Sequence, residues 1–347
     1  MPNTLTIVMY HCIKDPARDL HPEIAAMPKA DFEGQLKYIK RHYTVISGQN
    51  LLASSASEFQ LPEGAALLTF DDGFAEHCTE VLPALDKEGL KGCFFPIAKS
   101  SVEGKLCYAA KLNLAMASPS GPKPVADYIL GQIGKNREAY GLQEPEAYWK
   151  KFAAPDPSGY FKTVEARFCH NVLLRALPFE LRQPIADELY SQYVGKDEAT
   201  LTRELYMSLD QVRTLVGHGM YVGSHAYNHP YLNSLPPDRQ EEEVDRSLAF
   251  IGSMGSDTSR WIMCYPHGMY NSSLLQILKS RNCSVGLTTE AQLAHPNQNN
   301  VLFLPRLDAG ELPTDADAQP SWWTTQATKK SLLTLQATHD RLSRSEK

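Results

Sequence analysis

The feature that most constrains the fold is an apolar run that ends in two adjacent carboxylates, Ala66-Leu-Leu-Thr-Phe-Asp71-Asp72-Gly73-Phe74. Such a run predicts a buried strand whose acids stop at the edge of a cleft. Because side chains alternate along a strand, Asp71 and Asp72 should point in different directions, so one could bind a cation while the other acts as a base. An isolated Asp-Asp-Gly sequence more often forms a solvated turn, and the rest of the chain decides between the two interpretations.

Composition and charge limit the class of protein. A chain of 347 residues with 43% hydrophobic residues can bury one large core or two modest ones. The net charge is −6 and the basic residues are dispersed, so we expect no nucleic-acid partner. The N-terminus has no basic signal region and no run reaches a membrane-spanning length, so we expect a cytoplasmic protein without a membrane span. Seven dispersed cysteines without a C-x-x-C pair fit reduced thiols.

Strands and helices alternate along much of the chain. The run from Leu5 to Tyr10 predicts a strand that ends at His11. A helix is expected over residues 76–88 and a strand over 92–97, and further strands are expected at 260–264, 283–287 and 301–306. This alternation predicts an α/β fold with parallel strands.

The alternation is interrupted once, which divides the chain into four parts. Residues 1–99 and 206–312 form the two parts of the α/β region, and residues 313–347 form a polar tail with a surface helix expected near 332–342. Residues 100–205 show amphipathic helical stretches at 125–133, 172–177 and 181–193 without a convincing strand, which predicts an inserted helical subdomain. This insert could shape a substrate pocket or mediate self-association.

Three residues supply a candidate metal site. Asp72, His225 and His229 combine a carboxylate with imidazoles, a donor set that suits zinc, and three protein ligands leave a position open for water. A His-x-x-x-His pair alone is weak evidence, but its position after a predicted strand matches that of Asp72.

Three motifs in order resemble those of the polysaccharide deacetylases, carbohydrate esterase family 4. They are Thr69-Phe-Asp71-Asp72-Gly73, His225-x-x-x-His229-Pro230 and Tyr265-Pro266-x-Gly268. The resemblance covers roughly residues 4–98 and 206–310. It implies a distorted (β/α) barrel and metal-assisted removal of an N-acyl group, usually acetyl, from an amino sugar.

The resemblance assigns roles to particular residues. Asp71 would be the general base, and Asp72, His225 and His229 would hold one divalent metal, most simply Zn²⁺, with Co²⁺, Mn²⁺ or Ni²⁺ as alternatives. The turn formed by Tyr265, Pro266, His267 and Gly268 would contact the substrate. A backbone N–H of this turn would hold the developing oxyanion.

The sequence departs from the family pattern at three places. Ala226 replaces the Ser or Thr that usually follows the first motif histidine, and Cys264 replaces an arginine that usually pairs with the base. We expect Arg306 to take over that pairing. The C-terminal strand that carries the general acid has no good match, but Leu5-x-Ile7-x-x-Tyr10-His11 resembles it moved to the start of the chain. This arrangement is similar to the permuted poly-N-acetylglucosamine deacetylases, and it makes His11 the expected acid, oriented by Asp308. His267 is the alternative acid or a sugar contact.

The functional expectation is a deacylase for a precursor in surface-glycan or lipopolysaccharide biosynthesis. Its substrate would be a nucleotide-linked, lipid-linked or oligosaccharide N-acyl amino sugar. Two other interpretations stay open. The departures could mark a catalytically degenerate glycan-binding or scaffold protein, or the site could hydrolyse a non-sugar amide or C–N bond.

Overall fold

The computed structural model describes residues 4–22, 24–56, 60–156, 161–296 and 300–328. The strands are β1 (Leu5–Tyr10), β2 (Ile13–Lys14), β3 (Met27–Pro28), β4 (Thr44–Val45), β5 (Ala65–Asp72), β6 (Gly92–Pro96), β7 (Tyr221–Val222), β8 (Trp261–Cys264), β9 (Cys283–Leu287) and β10 (Leu307–Asp308).

Helices connect and surround these strands. The α-helices are α1 (Lys29–His42), α2 (Gly48–Ser55), α3 (Leu82–Glu88), α4 (Ala98–Glu103), α5 (Tyr108–Ala117), α6 (Pro122–Tyr140), α7 (Pro145–Phe152), α8 (Val164–Asn171), α9 (Phe179–Tyr193), α10 (Glu198–Leu205), α11 (Leu209–Gly217), α12 (Pro237–Ser253), α13 (Ser272–Ser280) and α14 (Trp322–Thr328). Five-residue π-helical turns at His77–Val81 and Val172–Ala176 lead into α3 and follow α8.

The strands form a distorted parallel barrel. Six of them make one parallel sheet in which β10, β1, β5, β6 and β7 are neighbours in that order and β4 pairs with β5. A second parallel pair, β8 with β9, completes the ring through two single bridges, Ser224 to Met263 and Leu287 to Leu304. Closure through isolated bridges rather than full ladders is what distorts the barrel.

Side-chain alternation separates the barrel interior from its outer layer. One buried cluster contains Leu67 of β5 together with Ile7, Phe95, Ile262 and Val285 from other strands. The alternating residues, including Leu68 and Phe70 of β5, belong to a second cluster that packs against the surrounding helices. By this alternation Asp71 shares the inward face of β5 with Leu67.

The expected helical insert has its own apolar core. Buried side chains from α5, α6, α8 and α9 form one cluster, which includes Leu112, Ile129, Phe168 and Leu189. The same cluster includes Phe74, which follows β5 in the barrel. The insert therefore packs directly on the end of the barrel where the two carboxylates lie.

The expectation of a strand over 301–306 is wrong. Val301–Phe303 forms a 3-10 turn, Leu304 makes a single parallel bridge to Leu287, and β10 begins only at Leu307. The Leu302 carbonyl accepts a hydrogen bond from the Tyr265 hydroxyl at 2.7 Å, so the apolar run is buried as a turn. A short apolar run cannot by its composition distinguish these two outcomes. The surface helix expected near 332–342 lies outside the described residues, and α14 was not expected.

Among the described helices, none combines the length and the apolar character that crossing a membrane requires.

A buried arginine fastens the insert to the barrel. Arg182 on α9 is 2% exposed. Its guanidinium donates to the carbonyls of Leu174, Arg175 and Leu177, and to the Ser234 hydroxyl of the barrel. These carbonyls belong to the π-helical turn and its end, where the backbone leaves acceptors without a helical partner.

We expect Arg182→Met to destabilise the protein by about 3 kcal/mol, because it removes donors to several buried oxygens. Urea unfolding followed by circular dichroism measures this change. Arg203→Met is the matched control, since Arg203 is an exposed arginine of the same insert and the Thr200 hydroxyl is its only hydrogen-bond partner in the described part of the chain. Equal midpoints for the two variants would contradict the fastening role of Arg182.

Candidate metal and catalytic site

The predicted site residues converge at one end of the barrel. They follow, or lie close to, the carboxyl ends of parallel strands, where barrel enzymes place their reactive groups. His11 follows β1, Asp71 and Asp72 end β5, His225 and His229 follow β7, the turn from Tyr265 to Gly268 follows β8, and Arg306 precedes β10.

Asp71 forms an ion pair with a buried arginine side chain inside the barrel. The Arg306 guanidinium donates to both carboxylate oxygens of Asp71, at 2.9 and 2.8 Å, and the Cys264 thiol donates to one of them at 3.3 Å. Arg306 is completely buried and also donates to Thr69 Oγ1 and to the Thr288 carbonyl. Burial opposes ionisation of Asp71, but the charge and hydrogen bonds of Arg306 lower its pKa to about 2. The structure therefore makes the pairing that the sequence predicted for Arg306.

Asp72 faces the two motif histidines instead. Its Oδ1 lies 3.4 Å from His225 Nε2 and 3.3 Å from His229 Nε2. Burial works against the charge of Asp72, yet the neighbouring His225 and His229 hold its pKa well below the usual range. Burial lowers the pKa of His229 to about 4, so this imidazole is neutral near pH 7.

The chemistry of these donors fits a cation. His225 Nδ1 donates to the Cys264 carbonyl at 2.7 Å, which in the neutral imidazole leaves a lone pair on Nε2 facing Asp72. Asp72 Oδ1 is buried and has no hydrogen-bond partner. Against the effect of burial, the neighbouring Cys264 and Asp72 raise the pKa of His225 when no cation is bound, so that its Nε2 then carries a proton facing Asp72. A divalent metal would take the place of this proton, and Asp72, His225 and His229 could hold it.

A second grouping of possible ligands, Asp71, His225 and Cys264, is a poorer site. Both oxygens of Asp71 already accept from Arg306, and the guanidinium charge would repel a cation. His225 directs its remaining nitrogen towards Asp72. The two adjacent carboxylates therefore have different surroundings, as the sequence predicted.

Backbone strain concentrates at this site. Of the described non-glycine residues, five have positive φ angles, and four of these lie here: Asp72 (71°), Ala226 (58°), His229 (57°) and His267 (58°). Left-handed backbone is costly for residues with a side chain, so the surrounding contacts must over-determine it. At Gly268 (72°) an added Cβ would lie 2.2 Å from Thr289 Oγ1, so this turn needs glycine.

Glu243 on α12 holds the loop that carries the two histidines. Its carboxylate is 4% exposed and accepts the backbone N–H groups of Tyr227 and Asn228, at 3.0 and 2.8 Å, and the Asn228 side-chain amide. These bonds replace the support that Ala226 cannot give. Glu243 was not predicted from the sequence, although a signal was present: polar residues 240, 243 and 247 recur on the buried stripe of an amphipathic helix.

His11 stands at the rim of the site. Its Nε2 lies 4.0 Å from Asp71 Oδ2 and its side chain is 46% exposed. Its carbonyl accepts a hydrogen bond from the buried His77 imidazole at 2.8 Å, a partner that was not predicted from the sequence. The expected orienting bond from Asp308 is not present among the described residues. The Asp308 carboxylate accepts instead from the Gly310 N–H.

The four residues of the turn after β8 contribute to the site in different ways. The Tyr265 hydroxyl donates into the barrel wall, to the Leu302 carbonyl, while Tyr265 and His267 both line the cavity in front of the site. The His267 ring stacks on Tyr231 with centroids 3.8 Å apart, and its Nε2 is buried without a partner. Neither Pro266 nor Gly268 is among the described residues that line the cavity. Their contribution is the shape of the turn.

A cavity of about 700 Å³ opens in front of these groups. One wall is the barrel end, with Asp71, Asp72 and His11, and the other comes from the insert, with residues such as Asn171 and Arg175. This volume is typical of small-molecule sites and exceeds the space that one sugar ring fills. The insert therefore shapes the pocket, one of the two roles left open for it.

Comparison with known proteins agrees with this geometry. A family model described as polysaccharide deacetylase matches residues 60–119 and 191–286. The Bacillus subtilis protein YxkH is 20% identical over 86% of this chain and 68% of its own length.

Solved structures share the fold. The Streptococcus pyogenes deacetylase PplD, solved with acetate, has a TM-score of 0.55 at 18% identity and covers 90% of this chain and 94% of its own. IcaB from Ammonifex degensii has a TM-score of 0.52 at 17% identity and covers 94% of this chain and 97% of its own. The de-N-acetylase from Aggregatibacter actinomycetemcomitans has a TM-score of 0.52 at 15% identity, with 91% and 97% covered. The sequence motifs, the barrel and the family match agree, and the chain contains a polysaccharide deacetylase domain in the matched residues.

Proposed function

We propose that this protein is a metal-dependent hydrolase that removes an N-acyl group, most simply acetyl, from an amino sugar. The observation that carries the proposal is the separation of two adjacent carboxylates. Asp71 is bound to Arg306, whereas Asp72 faces His225 and His229. Asp71 is thus paired with a guanidinium, whereas Asp72 would be free to bind a metal, and metal-assisted hydrolysis needs these two separate roles.

Asp72, His225 and His229 would hold one divalent metal, with zinc as the first candidate. When bound, such a metal lowers the pKa of water and polarises an amide carbonyl. This chemistry matters here because Asp71, with a pKa of about 2, is fully ionised near neutral pH but only weakly basic.

Asp71 acts as the general base. It accepts one proton from the attacking water as the new C–O bond forms, while Arg306 and the Cys264 thiol keep the carboxylate oriented. The carbonyl oxygen becomes negative at this stage. We assign its stabilisation in part to a backbone N–H of the turn that follows β8, a class of donor that contributes strongly to acyl-transfer reactions.

His11 acts as the general acid. Collapse of the tetrahedral intermediate breaks the C–N bond, and the leaving amine takes a proton from the His11 imidazolium. Its exposed ring beside Asp71 can reach a leaving group in the cavity, and the His77 bond fixes its backbone. The position of His11 after β1, next to β10, supports the permuted arrangement of the acid.

The degenerate-protein alternative loses its main argument. Cys264 lacks the charge that a base-pairing arginine would supply, but Arg306 supplies that charge from the neighbouring segment. We therefore favour an active enzyme for an amino-sugar precursor in surface-glycan biosynthesis, nucleotide-linked, lipid-linked or oligosaccharide.

Release of acetate and formate from a panel of free and UDP-linked N-acyl amino sugars tests the proposal. We expect release by the zinc- or cobalt-loaded wild type and a loss of about 10²–10⁴-fold in kcat for Asp71→Asn and for His11→Ala. Metal content separates the roles: Asp71→Asn should keep its metal and Asp72→Ala should lose it.

No release from any sugar by the metal-loaded wild type would contradict the deacylase. Equal metal loss in Asp71→Asn and Asp72→Ala would contradict the assignment of the two acids. Full activity of His11→Ala would contradict the permuted acid and leave His267 as the candidate.

The Asp71–Arg306 pair also makes a prediction about stability. Arg306→Met strands a buried carboxylate, and we expect a loss of about 3–5 kcal/mol in the free energy of unfolding. Adding Asp71→Asn removes the stranded charge, so the double variant should be more stable than Arg306→Met alone. Urea unfolding of the metal-free proteins measures this cycle. Additive losses would show that the pair does not interact as described.

A further inference from the structure

A second groove opens beside the active-site cavity. Its volume is about 620 Å³, and it lies between α7, the turn after α8 and the segment around Asn233. Asn171 and Arg175, one helical turn apart, line both this groove and the active-site cavity. The two cavities are therefore adjacent, and Arg175 presents its charge to both of them.

The groove is lined by cations, aromatic rings and amides. Its cations are Lys151 and Arg175, and its aromatic side chains include Tyr148 and Phe152. Among the described residues that line it there is no aspartate or glutamate. This composition differs from that of the catalytic cavity, which contains four aspartates, and it favours a ligand with negative charge.

Arg175 is positioned but not neutralised. Its guanidinium lies over the Tyr231 ring, 4.8 Å from the ring centroid, and His267 stacks against the same ring. Within the described part of the chain no carboxylate pairs with Arg175 or with Lys151, whose ammonium lies over the Phe152 ring at 5.1 Å. Aromatic contacts orient a cation without cancelling its charge, so both donors stay available to an anion.

A third cation lies beneath the groove. Arg182 is buried and donates to the Ser234 hydroxyl, and Ser234 lines the groove. Its other hydrogen-bond partners are backbone carbonyls, and no carboxylate of the described residues is bonded to it. A buried charge in a region of low dielectric acts over a longer range than an exposed one, which makes the groove more attractive to anions.

We propose that this groove is a subsite for an anionic group, a phosphate or a carboxylate, attached to the amino sugar. The N-acyl end of the same substrate lies at Asp71 and the anionic end lies against Arg175 and Lys151. The inference rests on the proposed function, since it names the substrate class of that site. It also gives the helical insert a role, because Lys151, Arg175 and the buried Arg182 all belong to it.

The test compares binding and turnover for three ligand types. Calorimetry measures binding of the deacylated probes glucosamine 1-phosphate, muramic acid and methyl glucosaminide to the metal-loaded full-length protein. Kinetics use the corresponding N-acetyl compounds. The variants are Arg175→Gln, Lys151→Gln and their combination. Arg203→Gln is the matched control, an exposed insert arginine outside both cavities.

We expect the combined variant to weaken binding of an anionic probe and to raise KM for its N-acetyl form by at least about tenfold, with kcat nearly unchanged. Methyl glucosaminide and the Arg203→Gln control should show no change. The arm that responds, phosphate or carboxylate, identifies the anionic group.

The subsite would be overturned if the combined variant bound both anionic probes as tightly as the wild type does. It would also be overturned if the variant lost as much affinity for the neutral probe as for the anionic probes. The proposed function is tested by a separate readout, the release of the acyl group. Binding of an anionic probe that depends on Arg175, without any acyl release, would support the subsite and contradict the deacylase.

Discussion

The site depends on one buried ion pair, between Arg306 and Asp71 in the interior of the barrel. Both side chains have almost no solvent exposure, and removing their charges from water costs several kcal/mol for each ion. The bidentate geometry, together with the bonds of Arg306 to Thr69 and the Thr288 carbonyl, offsets that cost. The pair therefore contributes position rather than net stability. It fixes Asp71 and connects β5 to the segment that leads into β10.

The fixed position of Asp71 allows its neighbour a different role. Alternation along β5 sends Asp71 inward, and the left-handed backbone of Asp72 turns the second carboxylate towards His225 and His229. The strain at Ala226 and His229 is sustained by Glu243, which lies outside the motifs and accepts the backbone N–H groups of the two residues between them. The ion pair fixes Asp71, and this position separates the roles of the two carboxylates in the proposed reaction.

The sequence predicted the barrel, the family and the clustering of the motif residues, because period-two alternation and short motifs are local signals. It also predicted the partner of Asp71: because Cys264 replaces the usual arginine, another arginine had to supply the positive charge. It could not predict the turn at Val301–Phe303, nor that the expected bond between His11 and Asp308 does not form, because both depend on how distant segments pack together. His77 and the groove of the insert were missed for the same reason, because a buried histidine or an arginine without a carboxylate partner is recognisable only by its neighbours. Glu243 was missed although the polar positions on the buried stripe of α12 indicated it.

The most direct test of the central claim is the position of the metal relative to the two carboxylates. A crystal of the full chain grown with zinc, measured at the zinc absorption edge, locates the ion by its anomalous signal. We predict a single strong peak among Asp72, His225 and His229, with Asp71 still bound to Arg306. A peak between Asp71, His225 and Cys264, or a displaced Arg306 that frees Asp71 to bind the metal, would contradict the division of roles between the two carboxylates.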